Sequence, residues 1–444
     1  MMSMKMLFGT DGIRDVVNET LTVDLAMKLG NALANLFGNK YKKLYIARDT
    51  RNSGKMLEMA LASGALAGGL NVESCGVLTT PALAYITKKE KSIGVVISAS
   101  HNPFMYNGLK VFCEGFKISD ETEEKLEEIM QKNLLKYCNY VDIGEYIEDS
   151  SKEDYIDYIV SLYQDKIKNK ELKIAVDVAN GAAGSVIDNI FQKLGLNYSV
   201  YKNSPNGFNI NDKCGSTSLD YLSKVILKEG YDLGILFDGD ADRCLFINKK
   251  GEVVNGDMLI ALSALKLKAQ KRLKNNTVVV TVMSNLGLEE FLKKNEIKIL
   301  RTQVGDKYVL EKMLEKDSVL GGEQSGHIIF LDRSTTGDGI ITALESIETL
   351  EFLSKPLEVL INEIPKYPQQ LENITVKDKI KIIEDDRVKK LTMKYQTFEN
   401  FRIVVRPSGT EHKIRIMTEG SDEKIIESCT KEFRNLIQSI DNES

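Results

Sequence analysis

Short apolar runs alternate with helical stretches along the first three quarters of the chain. In the opening third, residues 44–47 (LYIA) predict a strand and the polar segment 48–54 (RDTRNSG) a turn. A helix over 55–70 and a second strand over 71–77 follow. The same unit returns at 173–177 (KIAVD), with the turn ANGAAG, a helix ending at Leu194 and a strand from Asn197. Both helices run out in one tripeptide, Gly69-Leu70-Asn71 and Gly195-Leu196-Asn197. A third copy runs from 277–282 (TVVVTV) through a turn at 284–287 into a helix and a strand at 297–300. Strand–turn–helix–strand units of this kind predict repeated α/β domains with mixed or parallel sheets.

The last quarter reads differently. Pro356, Pro365 and Pro368 cluster in a chain with 7 prolines, which predicts a linker near 364–370. Beyond it, 401–405 and 413–418 read as strands around a loop. Ile425, Ile426, Cys429, Phe433, Leu436, Ile437 and Ile440 then share one face of a final helix. This predicts a small α+β domain. A polar, charged stretch at 145–152 marks an earlier boundary, before a helix carrying Tyr155, Ile156, Ile159, Leu162 and Tyr163. The expected domains are 1–152, 153–252, 253–365 and 366–444. The basic stretch 266–274 reads as a solvated helix face.

Composition narrows the function. The 444 residues are 43% hydrophobic and 28% charged, with a formal charge of −5. That mild acidity argues against a protein that coats nucleic acid or anionic membrane. A ligand phosphate would have to be met by local Arg, Lys or metal. No apolar run approaches the roughly 20 residues of a membrane span, and the start, MMSMKMLFGTDGIR, has no apolar signal core. A cytoplasmic protein is expected. Its 6 scattered cysteines, without a CxxC pair, read as free thiols. The absence of Trp weakens any nucleic-acid stacking platform.

Four loops can carry chemistry. The first, 98–110 (SASHNPFMYNGLK), follows the apolar run 93–97, at a strand end where open α/β sheets place their sites. It groups Ser98, Ser100 and His101 before two turns and Lys110, as a Ser nucleophile beside cationic groups would require. The second, 238–243 (DGDADR), follows the apolar run 233–237. Asp238, Asp240 and Asp242 can converge on one hard cation, and oxygen ligands favour Mg²⁺, Mn²⁺ or Ca²⁺ over zinc. Arg243 and Lys249 stand where an EF-hand needs Gly and Glu, and so few carboxylates suit Mg²⁺. The third, 321–327 (GGEQSGH), brackets Glu323, Gln324, Ser325 and His327 with glycines and suits a polyhydroxylated ligand. The fourth, 406–415 (RPSGTEHKIR), places Ser408, Gly409 and Thr410 as an anion nest between Arg406 and Arg415, whose guanidinium forks suit phosphate. All 3 histidines of the chain, His101, His327 and His412, lie in these loops. Together the loops describe phosphoryl transfer on a substrate whose non-reacting end also carries a phosphate.

With SASHNP, DGDADR, GEQSGH and RPSGTE in this order, the chain resembles the α-D-phosphohexomutase superfamily over essentially its whole length. FGTDGIR, NINDKCGST, VGDKYV and Gln324 point within it to the branch acting on glucosamine phosphates. The resemblance implies an α/β fold, with three related α/β domains of mixed sheets and a C-terminal α+β phosphate-binding domain around a central cleft. It implies that Ser100 is carried as phosphoserine and passes its phosphoryl group to O1 of glucosamine 6-phosphate. The resulting 1,6-bisphosphate turns end for end and returns its 6-phosphoryl group to Ser100. The product, glucosamine 1-phosphate, would feed UDP-N-acetylglucosamine synthesis and the cell wall. Mg²⁺ is expected on Asp238, Asp240, Asp242 and Ser100, with a hexose 1,6-bisphosphate as activator. Arg14, His101, Lys110 and Arg243 would surround the phosphoserine. Lys110 and His327 are the candidate acid/base groups. Glu323 and Ser325 would hold the sugar, and Arg406, Ser408, Gly409, Thr410 and Arg415 the idle phosphate. The partner is a small sugar phosphate, not nucleic acid or membrane, and the chain is expected as a monomer or homodimer. Asp15 and His412 depart from the family pattern without removing a ligand. The competing readings are a phosphoglucomutase or phosphomannomutase, a HAD-type phosphatase using Asp238, and an inactive sugar-phosphate sensor.

Overall fold

The computed structural model describes residues 7–9, 11–148, 151–408 and 412–443. These residues form four sheets. The first three are built around the same four strands. In the first, Lys43–Arg48 lies parallel between Asn71–Val77 and Ile93–Ile97, and Tyr106–Cys113 runs antiparallel beside Ile93–Ile97. In the second, Lys173–Asp177 lies parallel between Asn197–Tyr201 and Leu233–Phe237, with Cys244–Asn248 antiparallel outside. In the third, Thr277–Thr281 lies parallel between Lys298–Thr302 and Leu320–Gly322, with Ile328–Phe330 antiparallel outside. The spatial order is second, first, third, fourth each time.

Parallel neighbours need crossover connections, which here are helices. Gly54–Ala67 and Thr80–Lys89 serve the first sheet, Ile187–Lys193 and Asp220–Glu229 the second, Leu286–Lys294 and Asp306–Lys316 the third. The antiparallel fourth strand needs only a loop from the third. That loop leaves the sheet at the carboxyl end of a fully buried strand in all three units. The repeated tripeptides mark the exits of two equivalent helices. Gly69 (φ +87°) and Gly195 (φ +66°) take left-handed backbone there, before the second strand.

The last unit is an antiparallel sheet with Lys413–Gly420 between Gln369–Thr375 and Phe401–Pro407. Helix Glu423–Asn442 covers it with Ile426, Cys429, Phe433, Ile437 and Ile440, an apolar stripe as the sequence predicts. The strand Gln369–Thr375 begins inside the expected linker. Its residues are mostly polar and half-exposed, so no apolar run announces it. Residues 149–150 of the expected boundary at 145–152 lie outside the described residues.

One expectation is corrected. The basic stretch 266–274 is not a wholly solvated face: Lys266 lies fully buried in helix Gly256–Ala269, 2.9 Å from Glu345 Oε1. Glu345 is itself buried on helix Gly339–Leu353, and an unpaired carboxylate there would be costly, so Lys266 turns inward to it. All six cysteines are free. Among the described residues, no helix is long and apolar enough to cross a membrane.

Candidate active site

Three of the four predicted loops occupy one place in the repeated topology. Each connects the third to the fourth strand of its sheet. The sheets face one another so that these loops meet. Cys244 N donates to Gly326 O at 3.0 Å, Gly339 N to Ala241 O at 2.9 Å, and Thr80 N to Asp240 O at 3.0 Å.

Ser100 is buried and takes a left-handed backbone, φ +50°, which a non-glycine residue holds only when its surroundings enforce it. The enforcement is visible. Buried Arg51 spreads its guanidinium over the loop's carbonyls, reaching Ser100 O at 2.9 Å, Asn102 O at 2.8 Å and Tyr106 O at 3.0 Å. Asp49 Oδ2 accepts from Arg51 Nε at 2.9 Å and from Ser98 Oγ at 2.6 Å, and Ser98 Oγ accepts from Ser100 N at 2.9 Å. From the second unit, Asn211 Nδ2 donates to Ser100 O at 2.8 Å. Gly239 admits this approach, since a Cβ there would stand 2.6 Å from Ser100 O. The Ser100 hydroxyl then donates to Asp238 Oδ2 at 2.5 Å.

The carboxylates of Asp238, Asp240 and Asp242 are buried with ligand oxygens all within 4.8 Å. Burial, with Asp242 and Asp240 as like-charged neighbours, pushes Asp238 well above the usual carboxylate range. Burial and Asp240 likewise raise Asp242. Burial opposes charge on Asp240 too, but Lys110 and the Thr80 hydroxyl outweigh it and hold that group low. Asp240 Oδ1 and Asp242 Oδ1 are buried without a hydrogen-bond partner. Crowded carboxylates with unspent oxygens, and no nitrogen or sulfur ligand, fit a hard divalent cation.

Cations ring the carboxylates. Lys110 Nζ lies 2.9 Å from Asp240, 3.0 Å from Asp11 and 3.7 Å from Asp242. Burial opposes its charge, yet Asp11 and Asp240 more than compensate and raise its pKa. Asp11 also binds Arg14 and Lys117, and Lys117 binds Asp306. The His101 ring lies 3.4 Å from Ser100 Oγ. Burial and the nearby Arg243 and Arg14 push its pKa down to about 3, so it is neutral at neutral pH. Arg243 is bridged through its backbone to His327. The buried His327 ring has no hydrogen-bond partner at either nitrogen, with Asp306 Oδ2 at 3.6 Å from Nε2.

The loop of Glu323 and Ser325 opens onto a cavity of about 670 Å³ between the second unit, the third and the strand entering the fourth. Ser325 Oγ donates to Glu323 Oε2 at 3.2 Å and Gly305 N to Glu323 Oε1 at 3.1 Å. Gln324 Nε2 donates to Asp257 Oδ2 at 3.2 Å, tying the turn to its own unit. Arg406 and Arg415 stand directly opposite each other in the sheet of the last unit. Burial and the like charge of Arg415 lower the Arg406 pKa, against the attraction of Glu323. Ser408 N donates to Lys413 O at 2.8 Å, and Ser408 O accepts from Lys379 Nζ at 2.6 Å. Gly409 and Thr410 lie outside the described residues. The side chain of His412 is exposed, and its carbonyl accepts from Val376 N at 2.9 Å. Asp15 Oδ1 accepts from Val16 N at 2.8 Å.

The structure therefore brings Ser100, His101, Lys110, the three Asp, Arg243 and His327 into one buried centre, with Arg14 at its edge. It sets Glu323 and Ser325 on a cavity, with Arg406 near enough to Glu323 to feel its charge. Sequence reasoning missed Arg51, Asp49, Asn211, Thr80, Asp11, Lys117 and Asp306. Arg51 and Asp49 lay in a segment read only as a turn. Asp11 and Asp306 lay in FGTDGIR and VGDKYV, noted as motifs without a role.

Four family descriptions match the chain. Phosphoglucomutase/phosphomannomutase alpha/beta/alpha domains I, II and III match residues 5–136, 153–251 and 255–367, and the C-terminal domain matches 371–436. A phosphoglucosamine mutase of Thermosipho africanus is 47% identical over 98% of this chain and 99% of its own length. One of Carboxydothermus hydrogenoformans is 45% identical over 98% and 99%. Among solved structures, a phosphoglucomutase/phosphomannomutase family protein of Burkholderia thailandensis superposes with a TM-score of 0.83 at 24% identity, covering 98% of this chain and 97% of that one. An Aspergillus fumigatus N-acetylphosphoglucosamine mutase, solved with GlcNAc-6P and magnesium, gives 0.70 at 16% identity over 98% and 96%.

Proposed function

Because the chain belongs to the phosphoglucosamine mutases of the phosphohexomutase superfamily, we propose that it interconverts glucosamine 6-phosphate and glucosamine 1-phosphate through a phosphoserine at Ser100. One observation carries the assignment of the nucleophile. Ser100 Oγ, on a loop braced into left-handed backbone, meets the buried Asp238 at 2.5 Å, at the cluster of carboxylates with unspent oxygens.

In the forward half-reaction, the sugar O1 hydroxyl attacks the phosphorus on Ser100. The P–Oγ bond breaks as the P–O1 bond forms, and the O1 proton leaves to a base. In a loose transition state the protein mainly positions groups and neutralises charge. Lys110, locked as an ammonium among carboxylates, suits charge neutralisation. His327, with two uncommitted ring nitrogens, suits the proton. Asp238, Asp240, Asp242 and a phosphate oxygen on Ser100 would hold Mg²⁺, which when bound supplies further charge neutralisation at the phosphoryl group. Neutral His101 and Arg14 and Arg243 complete the surround.

The bisphosphate then turns end for end, and the serine Oγ takes back the 6-phosphoryl group. Glu323 and Ser325 present acceptors and a hydroxyl to the sugar's middle hydroxyls in either orientation. Arg406 and Arg415, with Ser408, Gly409 and Thr410, hold whichever phosphate is idle. A hexose 1,6-bisphosphate would also prime an unphosphorylated Ser100. Mass spectrometry after incubation with glucose 1,6-bisphosphate tests the covalent step. One phosphoryl group on a peptide containing Ser100, absent in Ser100→Ala, supports the proposal. Phosphate on Asp238, or on no residue, contradicts it.

A further inference from the structure

A second cavity, of about 400 Å³, lies where the first three units meet and is lined by none of the candidate active-site residues. Helix Thr80–Lys89 contributes Tyr85 and Lys88, helix Lys152–Tyr163 contributes Tyr155 and Tyr158, and the third unit contributes Arg333 and Asp338. The Tyr85 ring stacks on Tyr158, with centroids 4.4 Å apart, and meets the Tyr155 ring at 62°. Two hydroxyls are already spent. Tyr155 donates to Asp338 Oδ2 at 2.8 Å and Tyr158 to Arg333 O at 2.6 Å. Tyr155 is buried, so it is Tyr85 and Tyr158 that offer the cavity ring surface.

The charges in the wall do not cancel. Lys89 is paired with Asp154 at 2.6 Å. Asp338, the one carboxylate in the wall, is engaged by the Tyr155 hydroxyl and by Ile341 N at 2.9 Å. Among the described residues, Arg333 has no such partner. Its nearest carboxylate is Asp332 at 4.0 Å, and its Nε is buried without a hydrogen bond. Lys88 has no ion pair among the described residues. Two unspent cations thus border an aromatic floor in a space large enough for a small ligand. Rings offer stacking surface, while an Arg fork matches phosphate oxygens.

We propose that this cavity is a second ligand site, for a planar aromatic ring joined to a phosphate group, of which a nucleoside monophosphate is the simplest form. The inference is independent of the mutase reaction, because no residue of the wall belongs to the candidate active site.

Titration calorimetry of the full chain tests it, with UMP, AMP, uridine and inorganic phosphate as probes. Each probe is titrated with and without saturating glucose 1,6-bisphosphate. UMP and AMP are expected to bind once per chain with affinities that the bisphosphate does not change. Uridine and phosphate are expected to bind at least about tenfold more weakly, as the loss of charge-assisted hydrogen bonds or of stacking implies. Arg333→Gln should weaken UMP by about tenfold. If that variant does not fold, exposed Lys88→Glu gives the same reading. Displacement of UMP by the bisphosphate, phosphate binding as tightly as UMP, no binding by any probe, or affinity indifferent to both substitutions would overturn the proposal.

Discussion

One hydrophobic cluster runs through all of the first three units, beside smaller clusters within each, whereas the last unit packs on a cluster of its own. Tyr45 and Val96 of the first sheet, Val176 and Phe237 of the second, and Val280 and Phe330 of the third belong to a single buried cluster. The residues from Ile374 to Ile440 form a separate one. The seam between the last two units is instead polar. Leu286 N donates to Glu419 Oε1 at 3.0 Å, Arg402 Nη2 to Ser284 O at 2.7 Å, and Tyr367 N to Asn285 Oδ1 at 3.0 Å. A small polar seam between separately packed units permits relative motion, and a shared core resists it. Chemistry and clamp divide along the same line. The serine, carboxylates and lysine sit where nothing can shift without repacking a core. In the proposed reaction, motion of the unit that carries the arginine pair would let a bisphosphate turn and would keep water from a phosphorylated Ser100.

Substitutions on the two sides should therefore fail differently. Ser100→Ala removes the nucleophile and should lower kcat by roughly 10⁴-fold or more while the fold persists; turnover near wild type would end the phosphoserine account. Arg51→Ala strips buried Asp49 of its ion-pair partner and the Ser100 loop carbonyls of their donor, and should cost about 3–5 kcal/mol of stability. Gln369→Ala at the seam removes only a neutral hydrogen bond to Met283 O and should cost about 0.5–1.5 kcal/mol. Denaturant unfolding compares the two, and an equal loss would erase the distinction between rigid centre and hinged clamp. Asp240→Asn should reduce kcat by about 10²–10³-fold and raise the Mg²⁺ needed for half-maximal rate; an unchanged Mg²⁺ dependence would remove Asp240 from the metal site.

The next effect is in pH. Burial raises the Asp257 carboxyl from 3.8 to about 6. The native state binds that proton more tightly than the unfolded chain does. The contribution is fully present below about pH 4 and is lost as pH rises through about 6, up to about 3 kcal/mol. Asp257→Asn should flatten this part of the stability–pH curve, and an unaltered slope would show the carboxyl to be unstrained. The smallest effect belongs to the clamp. Arg406→Ala should raise KM about tenfold with a lesser change in kcat, the pattern of lost uniform binding. A fall in kcat alone would place Arg406 in the chemistry instead.

The legible parts of this molecule were those written in consecutive residues. Apolar runs at 93–97 and 233–237 announced the buried strands, and the polar segments after them announced the loops. Arg406 and Arg415 flank a hairpin, so their opposition followed from the strands. What escaped was everything set by topology. That three loops are one connection, used three times, depends on strand order, which no local pattern states. Arg51 braces a loop 49 residues away, and Lys117 meets Asp306 across 189 residues. Lys266 looked solvated because its partner, Glu345, arrives from 79 residues further on. The strand Gln369–Thr375 was hidden by its polar composition.

The most direct test of the account is ³¹P NMR of the protein with Mg²⁺ and a trace of glucose 1,6-bisphosphate, supplied in parallel with glucosamine 6-phosphate, glucose 6-phosphate and mannose 6-phosphate. The account predicts that glucosamine 1-phosphate forms fastest, with total sugar phosphate conserved and no turnover in Ser100→Ala. Inorganic phosphate as the main product, or full activity without the serine, would contradict it.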